Sequence, residues 1–196
     1  NHEPSLRGLY GDAVSEMDAM IGELISTLKK TGQYDNTLIF FFSDNGAWVN
    51  PSNGLGDDSV SPLDGGSNAP FKGGKGDTWE GGLRVPAILK LPIAPAEESC
   101  STREPIRDPA SALDFLPTVL DYAGIDMQQG VAYDGVSLRP FVEEAGTVPS
   151  RCLYHWRERS LYAVRCGSLK AHFITRSGFD FSDRGTVHDP PIVFNV

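Results

Sequence analysis

The feature that most restricts the fold of this chain is an amphipathic helix followed closely by a continuously apolar segment. Over residues 12–30 the apolar side chains recur every three or four positions, which predicts a helix with one buried face that ends at Gly32. Residues 37–42 are β-prone and apolar throughout, as in a central parallel strand covered on both faces. A helix leading into a buried strand predicts an α/β fold.

The middle of the chain predicts a long loop, a second strand and an interrupted helix. Residues 46–76 are rich in Gly, Asn, Asp, Ser and Pro without any periodicity, and a loop of this length in a compact domain is usually functional or disordered. Residues 83–91 are predicted to form a strand. Asp108 and Pro109 are predicted to begin a helix, which Pro117 should kink or split before it ends near Gly124.

The last fifty residues have the pattern of a small antiparallel sheet. Short β-prone segments follow one another, with Gly167 and Ser168 as a turn between the second and the third. These segments are residues 152–156, 161–165, 170–175 and 192–195. We therefore expect two parts, an α/β part over residues 1–147 and an antiparallel subdomain over residues 148–196.

The charge balance and the apolar runs exclude two classes of function. With 17 Lys and Arg against 26 Asp and Glu, the formal net charge is −9, and no basic stretch is interleaved with aromatic residues. A nucleic-acid-binding surface is therefore not expected. The longest apolar runs, such as residues 38–42, are too short to span a membrane. Because the chain opens without methionine or an apolar leader, we expect it to be part of a longer protein.

The cysteines do not have the spacing of a metal site. Cys100, Cys152 and Cys166 form no C-x-x-C pair and no metal-ligand pattern with the four histidines, which argues against zinc. Their odd number leaves two interpretations. Either one disulfide forms and the third cysteine pairs outside this chain, or all three are buried free thiols.

One candidate metal site follows the first predicted strand. Ser43-Asp44-Asn45-Gly46 comes directly after it, which places Asp44 and Asn45 at the strand end where α/β sheets hold their ligands. A carboxylate and a carboxamide are hard oxygen ligands that suit Ca²⁺ or Mg²⁺. The alternative is a plain turn, because Asp-Asn-Gly is also a favourable turn sequence.

One candidate anion site lies in the glycine-rich segment. Lys75 stands between Gly74 and Gly76, so that the backbone can approach an oxyanion while the ammonium group adds positive charge. The alternative is a flexible glycine turn with a solvated lysine. The single histidines of the second half, His155, His172 and His188, are expected to have packing or surface roles.

The order and spacing of these motifs resemble the C-terminal half of a sulfatase. The resemblance includes Ser43-Asp44-Asn45-Gly46 and the stretch from Lys75 to Arg84-Val85-Pro86, and it covers nearly the whole chain. The other segments that carry it are residues 8–14, 16–18, 36–37, 65–68, 113–118, 134–138, 170–173 and 188–191.

This resemblance implies a fold and a set of site residues. The fold would be an alkaline-phosphatase-like α/β sandwich, of which this chain supplies the second half, followed by a small C-terminal antiparallel sheet. Asp44 and Asn45 would be Ca²⁺ ligands, and Lys75 would hold the sulfate. His2, in His-Glu-Pro, resembles the histidine that contacts the sulfate ester and assists the leaving oxygen.

The resemblance also implies an activity and partners. The enzyme would hydrolyse the sulfate ester of a sugar or an aryl alcohol with a formylglycine nucleophile, made from Cys or Ser in an N-terminal half that this sequence does not include. The partners would be that N-terminal half and the sulfated substrate, and a homodimer is compatible with the family. The expected location is lysosomal or secreted.

Two rival functions stay open at this stage. One is a catalytically inactive sulfatase-like protein with a binding or structural role. The other is a phosphodiesterase or phosphatase of the same superfold, although such sites generally use more Asp and His metal ligands than one Asp-Asn pair. Residues 147–151 resemble the nucleophile motif but begin with threonine, which the modification does not use, so we interpret this match as a coincidence.

Overall fold

The computed structural model describes residues 6–49, 64–92, 106–143, 148–178 and 182–196. Its helices are α1 (Gly8–Lys30), α2 (Glu80–Leu83), α3 (Phe115–Tyr122) and α4 (Arg139–Glu143). Two strands, β1 (Ile39–Phe42) and β2 (Ala87–Lys90), form an antiparallel pair. A second, antiparallel sheet has the order β3-β4-β5-β6, made of Cys152–Arg157, Ser160–Cys166, Leu169–Thr175 and Thr186–Asn195. The α/β class with a C-terminal antiparallel sheet is confirmed.

Helix α1 forms as the periodicity predicts, but it begins at Gly8, four residues before Asp12. It ends at Lys30, where Lys29 and Lys30 complement the helix dipole and Gly32 adopts a φ of 69°. None of the residues of α1 is buried within the described structure. Its apolar face is therefore present in the sequence but uncovered by the described residues.

Strand β1 forms where it was predicted, but its neighbour is antiparallel rather than parallel. The strand pairs with β2, with Ile39 opposite Lys90 and Phe42 opposite Ala87. The rings of Phe40 and Phe42 lie 5.4 and 6.2 Å from the ring of Phe115. An apolar run indicates that a strand can be buried, but it does not indicate whether the neighbouring strand is parallel or antiparallel.

The helix predicted from Asp108 begins later, so that prediction is wrong. Ser111 and Asp114 form a reciprocal capping box around a 3₁₀ turn, and α3 follows directly. Asp108 instead accepts a hydrogen bond from the backbone N–H of Val148 at 3.3 Å. Pro117 lies in the first turn of α3, where the missing backbone N–H of a proline costs little. The predicted kink at Pro117 is therefore absent, and the 3₁₀ turn and α3 meet before the proline, at Phe115. Gly124, with a φ of 66°, follows the end of the helix as predicted.

The C-terminal sheet contains the four predicted strands, although β6 begins at Thr186 rather than at residue 192. Cys152 and Cys166 face each other across β3 and β4 and are joined by a disulfide. This pairing excludes three free thiols, and Cys100 lies outside the described residues. Ala163 and His172 are among the most buried side chains and lie opposite each other on β4 and β5.

Candidate functional site

A rigid turn carries Asp44 and Asn45 at the end of β1. The hydroxyl of Ser43 donates to the carbonyl of Asn45 at 2.8 Å, and the N–H of Gly46 donates to the carbonyl of Gly82 at 2.9 Å. A Cβ at Gly46 would lie 1.7 Å from the carbonyl oxygen of Gly81, so the turn can approach α2 this closely only with glycine. Asp44 is exposed and Asn45 is half-buried.

The Lys75 loop, residues 72–78, is hydrogen-bonded to the same strand end. The backbone N–H of Lys75 donates to the carbonyl of Ala47 at 3.1 Å. The side chain of Asn68 holds the two segments together, because it accepts from the N–H of Ala47 at 2.7 Å and donates to the carbonyls of Ala47 and Gly73 at 2.9 and 3.1 Å. Ala47 is two residues beyond Asn45, so the backbone of the Lys75 loop lies close to the turn that carries Asp44 and Asn45.

Asp77 fixes the other side of the Lys75 loop. Its carboxylate accepts from the N–H of Gly74 at 3.0 Å and from the N–H of Gly178, beyond β5, at 2.7 Å. A Cβ at Gly76 would come within 2.8 Å of the Cα of Gly178, and Gly76 has a φ of 88°. The loop is therefore held between the end of β1 and the connection that follows β5, while the Lys75 residue itself is exposed.

A buried ion cluster lies next to this loop. The carboxylate of Glu80 accepts from Nζ of Lys170 at 2.9 Å and from Nη1 of Arg165 at 2.6 Å. Burial raises the pKa of Glu80, but the hydrogen bond and charge of Lys170 and the charge of Arg165 outweigh it, so that the pKa lies below its usual value. Burial lowers the pKa of Lys170, and its contact with Glu80 only partly opposes this effect.

Aromatic contacts extend the packing from α2 to β5. The rings of Trp79 and His172 lie 4.2 Å apart, and Nζ of Lys72 lies 3.8 Å from the centre of the Trp79 ring. Burial, followed by the charge of Lys170, lowers the pKa of His172 to about 4, and the same two causes lower that of His155 to about 4. His172, only 1% exposed, therefore has the packing role expected of it. His188 lies 2.9 Å from the hydroxyl of Thr175.

The structure describes three of the four residues that were predicted for the site. The backbone of Lys75 is hydrogen-bonded two residues beyond Asn45, whereas His2 lies outside the described residues. Within the described ranges, no three His, Cys, Asp or Glu side chains are grouped so as to hold a metal ion. The carboxylate and the amide oxygen fit a hard cation such as Ca²⁺ as part of a larger set, because Ca²⁺ takes about six to eight oxygen ligands.

Sequence reasoning missed the residues that hold the site together. Asn68, Asp77 and Glu80 act through partners 21, 101 and 90 positions away, respectively. Asn68, Asp77 and Glu80 all stand in segments that carry the family resemblance. That signal marks the residues but does not reveal which groups they bind.

Comparisons with known proteins identify the family. Residues 1–125 match the family model "Sulfatase", and residues 148–196 match "C-terminal region of aryl-sulfatase". The chain belongs to the sulfatase family, as the motifs suggested. Among the helices of the described residues, none is both long enough and apolar enough to cross a membrane.

Individual relatives resemble this chain over part of their own length. It is 34% identical to steryl-sulfatase of Homo sapiens over an alignment of 213 positions, which covers 98% of this chain and 35% of that protein. It is 37% identical to N-acetylgalactosamine-6-sulfatase of Rattus norvegicus over an alignment of 187 positions, which covers 90% of this chain and 32% of that protein. The crystal structure of PsFucS1 sulfatase from Pseudoalteromonas sp. superposes on this chain with a TM-score of 0.73 and 28% sequence identity. The match covers 94% of this chain and 35% of that one. The chain thus spans about a third of the length of these relatives.

Proposed function

We propose that this chain is the C-terminal part of a sulfatase that hydrolyses the sulfate ester of a sugar or an aryl alcohol. The observation that supports this most is the hydrogen bond from Lys75 N–H to the carbonyl of Ala47, at 3.1 Å. It holds the lysine loop against the strand end that bears Asp44 and Asn45. These are the residues to which the family resemblance assigns the sulfate and the calcium ion.

Each of these side chains has a distinct task in the proposed reaction. The oxygens of Asp44 and Asn45 would hold Ca²⁺, which when bound supplies positive charge that neutralises and orients the sulfate. Lys75 contacts the non-bridging oxygens of the sulfate as a compact point charge. Stabilisation of developing charge by one such donor is commonly worth about 2.7 to 4 kcal/mol.

The remaining parts of the proposed site lie outside the described residues. His2 would contact the sulfate ester and assist the leaving oxygen. A formylglycine in the N-terminal part of the same protein would supply the oxygen nucleophile for attack on sulfur, and the alcohol of the ester would leave with a proton. The proposed substrate is either an aryl sulfate or a sulfated carbohydrate such as a glycosaminoglycan. We also propose a lysosomal or secreted location, and a homodimer is compatible with this assignment.

The test is an assay of the full-length protein on matched esters. An aryl sulfate, a sulfated monosaccharide, an aryl phosphate and an aryl phosphodiester are compared, and mass spectrometry reads the residue at the nucleophile position. Release of sulfate together with formylglycine supports the proposal. Preferential hydrolysis of either phosphorus ester would identify a phosphatase or phosphodiesterase instead, and no hydrolysis with an unmodifiable residue would identify an inactive relative.

A further inference from the structure

Helix α2 contacts both segments that carry the candidate site. The carbonyl of Gly82 accepts from the N–H of Gly46 at 2.9 Å, which fixes the turn of Asp44 and Asn45. The N–H of Gly81 donates to the carbonyl of Lys72 at 2.8 Å, at the start of the Lys75 loop. A Cβ at Gly82 would lie 2.5 Å from the carbonyl oxygen of Gly74. Any displacement of α2 must therefore move the turn, the loop, or both.

The first residue of α2 attaches this helix to the C-terminal sheet. Glu80 binds Lys170 of β5 and Arg165 of β4 through separate carboxylate oxygens. Lys170 is fully buried, and Glu80 is 9% exposed. Loss of the carboxylate charge would leave the buried ammonium of Lys170 and the partly buried Arg165 without their counter-ion, and breaking a buried ion pair strongly disfavours the original geometry.

We infer that Glu80 is a positioning residue for the sulfate-binding site. Its ion pairs with Lys170 and Arg165 anchor α2 to the C-terminal sheet, and α2 in turn fixes the turn of Asp44 and Asn45 and the Lys75 loop. This inference rests on the proposed function for the roles of those site residues. It assigns the C-terminal sheet a part in catalysis, because the sheet provides the cations to which the site is anchored.

The experiment compares two buried carboxylates in the full-length protein. Glu80→Gln removes the charge next to the site. Asp114→Asn is the matched control, because Asp114 is likewise buried and pairs with an arginine, Arg151, but contacts Ser111 and Val136 instead of the site. Arg165→Gln is a milder variant that keeps the Glu80–Lys170 pair, and it serves if Glu80→Gln does not fold.

Hydrogen exchange is the first readout, because it does not depend on catalysis. In Glu80→Gln the amides of Gly46, Lys75 and Gly81 should exchange at least tenfold faster, with a smaller increase in Arg165→Gln. Asp114→Asn should lower the melting temperature but leave these three amides unchanged. Equal exchange at these amides in Glu80→Gln and Asp114→Asn would overturn the positioning role.

Kinetics is the second readout, measured well below the melting temperature of every variant. With an aryl sulfate, Glu80→Gln should lower kcat at least tenfold and weaken inhibition by inorganic sulfate, whereas Asp114→Asn should change kcat by less than a factor of two. If Lys75→Ala leaves kcat unchanged while Glu80→Gln still speeds exchange at Gly46 and Lys75, the proposed sulfate role of Lys75 fails and the anchoring stands. If Lys75→Ala lowers kcat and Glu80→Gln does not, the positioning role fails and the proposed function stands.

Discussion

At the scale of single residues, Asp44 combines an exposed carboxylate with a backbone held by its neighbours. Asp44→Ala should therefore remove Ca²⁺ binding and lower activity by about a hundredfold or more, with little change in melting temperature, because exposed side chains contribute little packing. Calorimetric titration of Ca²⁺ into the full-length variant measures the first effect. Asp126→Ala, at another exposed aspartate, should bind Ca²⁺ normally. Undiminished Ca²⁺ affinity in Asp44→Ala would remove the ligand assignment.

His172 should make the stability of the C-terminal sheet depend on pH. Burial, and then the charge of Lys170, lowers its pKa from 6.5 to about 4 in the folded chain. Between these two pKa values the unfolded state binds more protons than the folded state. The contribution of the neutral His172 to the free energy of unfolding is therefore fully present above about pH 6.5 and is lost as the pH falls towards 4, by up to roughly 3 kcal/mol. Urea unfolding at pH 7 and 5 measures the loss, which should be smaller in His172→Phe. An identical loss in both proteins would contradict the assignment to His172.

The site residues differ in how far the sequence reveals them. Asp44, Asn45 and Lys75 could be singled out because a strand end and a glycine-rich loop give their polar groups unusual positions. Glu80 could not, because an acidic residue beside two glycines looks like any solvated helix start. Its role depends on Lys170, 90 residues away, which only the folded chain places against it.

At the scale of the elements, local signals located the segments better than their ends and partners. Asp108-Pro109 and Ser111 with Asp114 are both helix-start sequences, and the chain uses the second, whereas Asp108 accepts a hydrogen bond from the N–H of Val148. The first three C-terminal strands could be predicted because tight turns separate β3 from β4 and β4 from β5, whereas a longer connection precedes β6, whose start was predicted too late. The direction of β1 relative to its neighbour could not be predicted, because an apolar run has no polarity along the sheet.

The disulfide between Cys152 and Cys166 should stabilise the first hairpin of the C-terminal sheet. The bond closes a loop with a sequence separation of 14, for which chain-entropy arguments give about 3 kcal/mol. Replacing both cysteines by serine should lower the melting temperature of the full-length protein. Reducing agent should lower the melting temperature of the unsubstituted protein by more than that of the double variant. A melting temperature insensitive to both treatments would show that the bond does not contribute to stability.

At the scale of the whole molecule, the exposed apolar surface predicts that these 196 residues do not fold alone. On α1, Leu9, Met20 and Leu24 are 73, 65 and 55% exposed, although their spacing is that of a buried face. The isolated chain should therefore bind a hydrophobic dye and show a broad thermal transition. A sharp, cooperative two-state transition without dye binding would contradict this expectation.

The central claim is that Lys75 holds the sulfate of the substrate, and two neighbouring lysines test it directly. Lys72 and Lys75 are both exposed in one glycine-rich segment, but the Lys72 ammonium lies on the Trp79 ring. Hydrolysis of an aryl sulfate is measured with the full-length Lys75→Ala and Lys72→Ala variants. We predict that Lys75→Ala lowers kcat about a hundredfold or more, exceeding any rise in KM, with an almost unchanged melting temperature, and that Lys72→Ala stays within a factor of a few. Equal and small effects at both lysines would contradict the claim and leave this segment a surface loop.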